Sequence, residues 1–145
     1  MYLATGSSDR TCRLWDVQKG HCVRVFIGHR AAVQVVKVSP DGRYLASAGD
    51  DGLILLWSLA TGQRVKTFWG HPEGVTIQSL SWSCESTVLV SGGSDETVRV
   101  WDVVTPPSSW SAADGNGPDG GVIGSLSSST GGVASVGAGV KGEAA

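Results

Sequence analysis

Short apolar runs, broken at regular intervals by turn-forming residues, organise the first two thirds of the chain. Val33, Val35 and Val38 make one run, which ends at the turn Ser39-Pro40-Asp41-Gly42. Tyr44-Leu45-Ala46-Ser47-Ala48 follows, then a tight Asp50-Asp51-Gly52 turn. Leu53-Ile54-Leu55-Leu56-Trp57 comes next, and Val65-Lys66-Thr67-Phe68 lies beyond Thr61-Gly62. Each run has strand length and is rich in β-branched or aromatic side chains, which suit a pleated, packed surface. A helical reading needs apolar residues at three- and four-residue spacing over ten or more positions. No stretch provides that, so the pattern predicts an all-β chain.

The runs recur with a period. Trp15, Trp57 and Trp101 are 42 and 44 residues apart, and two of them precede aspartates, Asp16 and Asp102. Gly28-His29 and Gly70-His71 repeat at the same interval of 42. Asp9, Asp51 and Asp95 each stand six residues before a tryptophan, and a hydroxyl residue (Thr5, Ser47, Ser91) stands four before each aspartate. Chance does not register four positions in this way. A period in the low forties with Gly-His and Trp-Asp markers resembles the WD40 repeat, in which one repeat makes a four-stranded propeller blade.

The resemblance implies strands a to d from the propeller axis outward, with Gly-His between d and the next a. On that pattern the chain opens on a b strand at Tyr2 and supplies b, c and d of a first blade. A second blade is complete, and a third supplies a, b and c before meeting Pro106-Pro107, which lack the N–H a sheet ladder needs. The expectation is therefore ten strands: a partial β-propeller of about two and a half blades over residues 1–104. The blades would span residues 1–28, 29–70 and 71–104, at the C-terminal end of a ring whose earlier repeats lie upstream of Met1.

Composition separates a tail from the repeats. Of 21 glycines, 10 fall in residues 104–145. The repeats carry 10 Lys and Arg against 10 Asp and Glu, and the tail accounts for the net charge of −2. Rich in Gly, Ser and Ala, with Trp110 its one aromatic, the stretch 105–145 cannot bury enough apolar surface to offset the entropy of ordering it, and disorder is expected there. No apolar run approaches the roughly 18 residues of a membrane span, and the opening residues have no basic start followed by an apolar stretch. A neutral repeat region argues against a dedicated nucleic-acid binder. Cys12, Cys22 and Cys84 are odd in number and lack C-x-x-C spacing, which favours free thiols over a disulfide framework or a zinc site.

His29, Ser47 and Asp51 contain the residue types of a hydrolase triad, and His71, Ser91 and Asp95 repeat them. A catalytic site rarely occurs once per repeat, whereas a structural device must. Neither serine lies in a G-x-S-x-G elbow. The WD40 resemblance implies a buried polar network instead, made of Thr5, Asp9 and Trp15 in the first blade, His29, Ser47, Asp51 and Trp57 in the second, and His71, Ser91, Asp95 and Trp101 in the third. The expectation is a chain with no catalytic, cofactor-binding or metal-binding residues. Gly115-Asn116-Gly117-Pro118-Asp119-Gly120 fits G-x-G-x-x-G literally, but it follows no predicted strand and opens no helix, so composition accounts for it. Arg10, Arg13, Arg24, Arg30 and Arg43 are scattered and matched by acids. Arg30, Asp50, Glu73 and Ser94 should project from loops on one face and form a protein-binding surface. Trp69 and Trp82, outside the repeated position, suit packing between blades, with an interface anchor as the alternative.

Finer phrases narrow the resemblance. Tyr2-Leu3-Ala4-Thr5-Gly6-Ser7-Ser8-Asp9-Arg10-Thr11, Arg13-Leu14-Trp15-Asp16-Val17 and Cys22-Val23-Arg24-Val25-Phe26 are similar to the closing repeats of the WD40-bearing TBP-associated factors of TFIID. Ser39 to Gly49 extends the match, and Glu85 to Gly93 with Thr97 to Asp102 resembles the fungal forms. Ser58 replaces the usual Asp after Trp57. The resemblance implies a nuclear scaffold in RNA polymerase II transcription initiation, in TFIID or a SAGA-type complex. Its partners would be other TBP-associated factors, histone-fold subunits among them, with no direct contact to nucleic acid or membrane. The sequence holds no Lys/Arg-rich import signal, so nuclear placement rests on the resemblance. The alternative is a WD40 adaptor of another pathway, such as a ubiquitin-ligase substrate receptor or a signalling scaffold.

Overall fold

The structure, a computed structural model, describes residues 1–69 and 71–104, together with the backbone of residues 122–127. These form three antiparallel sheets. The first joins β1 (Tyr2–Gly6), β2 (Thr11–Asp16) and β3 (His21–Ile27) in sequence order. The second joins β4 (Val33–Val38), β5 (Tyr44–Gly49), β6 (Ile54–Ser58) and β7 (Arg64–Phe68). The third joins β8 (Ile77–Trp82), β9 (Val88–Gly93), β10 (Thr97–Asp102) and β11 (Val122–Ser127). All-β sheets of three and four strands are the partial propeller that the repeat spacing predicts.

One expectation is corrected. The third sheet does not end at its c strand: β11 pairs antiparallel with β10, from Thr97↔Ser127 to Trp101↔Val122. The described strands number eleven rather than ten, and the added one comes from the stretch read as tail. Proline has no N–H to give a ladder, yet Val122–Ser127, about twenty residues beyond β10, pairs with its edge. An open strand edge presents unpaired N–H and C=O groups that any extended segment within reach can satisfy. The remaining tail residues, including Trp110 and the G-x-G-x-x-G match, lie outside the described residues.

The b–c turns are built alike. The carboxylates of Asp9, Asp51 and Asp95 accept the backbone N–H two residues on, at 2.9, 3.1 and 3.2 Å. The residue after each aspartate is left-handed: Arg10 at φ 72°, Gly52 at 70° and Glu96 at 60°. Only the middle blade places glycine there, where an L side chain costs about 1–2 kcal/mol.

The second sheet is the centre of the molecule because both its faces are covered. Ala46, Ala48, Ile54 and Leu56 pack with Ile77, Leu80, Leu89 and Trp101 of the third sheet. The intervening Leu45, Leu55 and Trp57 pack with Cys12, Leu14 and Phe26 of the first. This explains the unbroken Leu53–Trp57 run: a strand buried on both faces has no polar side to alternate with. In β1, by contrast, Tyr2, Leu3 and Gly6 are exposed. Within the second blade, the chain entering β4 passes so close to β5 that a Cβ on Gly49 would collide with the carbonyl oxygen of Ala32. Polar contacts also join the second and third blades. Trp82 donates its indole N–H to the Lys37 carbonyl at 3.2 Å, and the Asp41 N–H donates to Ser86 Oγ at 3.1 Å.

Candidate functional site

In the second blade β5 brings Ser47, the following turn brings Asp51, β6 brings Trp57, and the loop after β3 brings His29. The Trp57 indole N–H donates to Ser47 Oγ at 2.8 Å. Ser47 Oγ lies 2.8 Å from His29 Nε2, and His29 Nδ1 lies 2.8 Å from Asp51 Oδ2. An ionised Asp51 accepts only, so Nδ1 carries the proton and Nε2 accepts from the serine. The direction of donation then runs from Trp57 through Ser47 and His29 to Asp51. The Arg30 N–H also reaches Asp51, at 3.0 Å. Burial pushes the Asp51 carboxyl up, but hydrogen bonds from His29 and the Arg30 N–H outweigh it and leave the value below the ordinary one.

The third blade repeats the arrangement. Trp101 donates to Ser91 at 2.9 Å, Ser91 lies 2.8 Å from His71 Nε2, and His71 Nδ1 lies 3.1 Å from Asp95. The Thr97 hydroxyl adds a bond to Asp95 at 2.8 Å. Burial lowers the His71 value against the pull of Asp95. The Asp95 carboxyl is raised by burial, but the Thr97 hydroxyl and His71 hold it below the ordinary value. In the first blade Trp15 donates to Thr5 at 2.9 Å, while Asp9 bonds Thr11 and Arg13 at 2.6 and 3.0 Å and meets no histidine. Arg99 takes the place of Arg13 in the third blade, 3.9 Å from Asp95. These arginine contacts, which the sequence pattern did not single out, follow from an Asp–Arg spacing of four.

The chemistry open to the two Ser–His–Asp sets follows from what surrounds the hydroxyls. Ser47 and Ser91 are buried, each with its oxygen engaged by an indole and an imidazole. A cavity of about 510 Å³ lies on this face, and its wall includes Asp51 and His71 but neither serine. Open space therefore meets the acid end of the relay and not the nucleophile end. A hydroxyl needs access to a reacting carbon as well as a base. Arg30, Asp50 and Glu73 line that cavity together. Ser94 stands further along: its Oγ accepts the Thr76 N–H at 3.1 Å, and Thr76 bonds Asp50 at 3.0 Å. Trp69, for which the sequence favoured inter-blade packing with an interface anchor as the alternative, is 39% exposed and forms part of the cavity wall. Trp82 packs against the core between the second and third sheets. Cys12, Cys22 and Cys84 are free thiols, and burial pushes Cys12 up to about 11.

Comparison with known proteins agrees with the geometry. A family model described as "WD domain, G-beta repeat" matches residues 1–16, 20–58 and 62–102. Among curated proteins, TFIID subunit 5 of Caenorhabditis elegans is 56% identical over 43 residues, which is 30% of this chain and 7% of that protein. A Lissencephaly-1 homolog of Heterostelium pallidum is 44% identical over 43 residues, 30% of this chain and 10% of its own length. The mouse F-box-like/WD repeat-containing protein TBL1X is 48% identical over 42 residues, covering 29% and 8%. Each match spans about one repeat, a tenth or less of the relative.

Proposed function

The chain belongs to the WD40 family, and from that premise we propose that it is a non-catalytic scaffold for protein assembly in RNA polymerase II transcription, of the TFIID or SAGA type. WD40 domains mediate protein–protein contacts. The observation that favours transcription is the 56% identity to TFIID subunit 5 over one full repeat. On this reading its partners are TBP-associated factors, histone-fold subunits included, and it works in the nucleus without touching DNA directly. Ser47 and Ser91 do not act as nucleophiles on this reading, because their oxygens are spent on an indole and an imidazole in the blade interior.

A second reading has its own support, because an F-box-like WD protein and a Lissencephaly-1 homolog match at 48% and 44% over similar lengths. It makes the chain an adaptor of a ubiquitin-ligase or signalling assembly. Affinity purification of the gene product from its own cells, followed by mass spectrometry, separates the two. Recovery of TBP-associated factors in constant ratio is expected. Recovery of ubiquitin-ligase subunits in their place would overturn the transcription assignment.

A further inference from the structure

The cavity on the face of the b–c turns is walled by three loops, β3–β4, β5–β6 and β7–β8. Its volume of about 510 Å³ falls within the roughly 300–1,000 Å³ of sites that enclose a ligand group. The lining is lopsided in charge: one cation, Arg30, stands against Asp50, Asp51 and Glu73. Asp51 is committed to His29 and the Arg30 N–H. Asp50 is held by neutral partners, Gln34 and Thr76. Among the described residues Glu73 forms no ion pair. Trp69 adds a part-exposed indole to the same wall. An indole beside uncompensated carboxylates attracts a cation twice, through the ring quadrupole and through opposite charge.

We propose that this cavity receives an arginine or lysine side chain from a partner protein, with Trp69 as its stacking face and Glu73 and Asp50 as counter-charges. This rests on the scaffold reading above and names the chemistry of one contact. A cationic residue is favoured over an anionic one because Arg30 is outnumbered in the wall. Arginine suits the site best, since its planar guanidinium stacks on the indole while its edge remains free to bond a carboxylate.

The test uses the full chain, labelled with ¹⁵N, and follows the Trp69 indole N–H, assigned by its disappearance in Trp69→Phe. The probes are capped Gly/Ser heptapeptides with one central arginine, lysine, norleucine or glutamate. Arginine and lysine peptides should shift that signal saturably, and added salt should weaken the effect. Glu73→Gln should reduce affinity about two- to fivefold, as should Trp69→Ala measured through its neighbours, while Trp69→Phe keeps part of it. An equal response to the glutamate or norleucine peptide, or an unmoved Trp69 signal, overturns the proposal. The purification described above stands apart from this result. If partners are recovered while the peptides fail, the cation site is wrong and the scaffold reading survives.

Discussion

At the scale of residues, the Trp–Ser–His–Asp relay sets the strongest expectations. Ser47→Ala leaves the Trp57 N–H and a buried imidazole nitrogen without partners, at a cost of about 1–3 kcal/mol. The urea midpoint should drop accordingly, with the Trp57 indole resonance moving most; a neutral Ser47→Ala would show that the relay contributes nothing. The same relay predicts an acid dependence. Burial holds His71 below the ordinary imidazole value of 6.5, so the folded chain binds fewer protons there than the unfolded one. That contribution is complete above 6.5 and is lost as pH falls from there towards the folded value. Asp51 and Asp95, held below 3.8, give stability that is present above that value and goes only in stronger acid. Thermal scans between pH 7.5 and 5 should therefore show a falling midpoint, and His71→Gln should flatten the slope. The residues of this relay were legible in the sequence because they recur in register at fixed offsets. Trp69 stood out as an extra tryptophan, but its place in the cavity wall was not legible, since that depends on where three loops meet.

At the scale of elements, ten strands were legible from turn residues and apolar runs, and β11 was not. The segment Val122-Ile123-Gly124-Ser125-Leu126-Ser127 follows the turn formers Pro118-Asp119-Gly120-Gly121, but it is short and sits amid so much similar Gly/Ser sequence that it does not stand out as a strand. Its pairing depends on the edge of β10, about twenty residues back in the chain, which is a tertiary fact. Leu126→Pro places a proline, which disrupts strand pairing, opposite Val98 in the β10–β11 ladder. Amide exchange along the outer edge of β10 should then accelerate while the β8–β9 ladder stays protected. Unchanged exchange would mean that β11 does not cover that edge. The close passage of β5 beneath the preceding loop gives a second expectation. Gly49→Ala forces a methyl against the Ala32 carbonyl, and overpacking of this kind costs typically 1–3 kcal/mol. Denaturant unfolding measures it directly.

At the scale of the whole molecule, three sheets share two interfaces, and the outer ones each keep a face or an edge open. β1 pairs on one side with β2, and Met1, Tyr2 and Leu3 are more than half exposed. An apolar edge without a charged residue or proline invites pairing with another chain. Sedimentation of this chain expressed alone should show self-association that rises with concentration, and a reversible monomeric melt would contradict it. The wider architecture was readable because forty-odd residues recur, but the repeat in the sequence is offset from the blade in space. The ring of Phe26 on β3 packs against Trp57 on β6 at 5.5 Å between centroids, and Phe68 on β7 meets Trp101 on β10 at 5.5 Å. Each histidine likewise precedes the sheet whose serine and aspartate it bonds. The stretch that closes its own bonds thus begins on one blade's outer strand and ends inside the next. A gene that duplicates this stretch in tandem adds a blade whose ends already clasp both neighbours, so the ring can lengthen by copying without any new fit having to evolve at the seam.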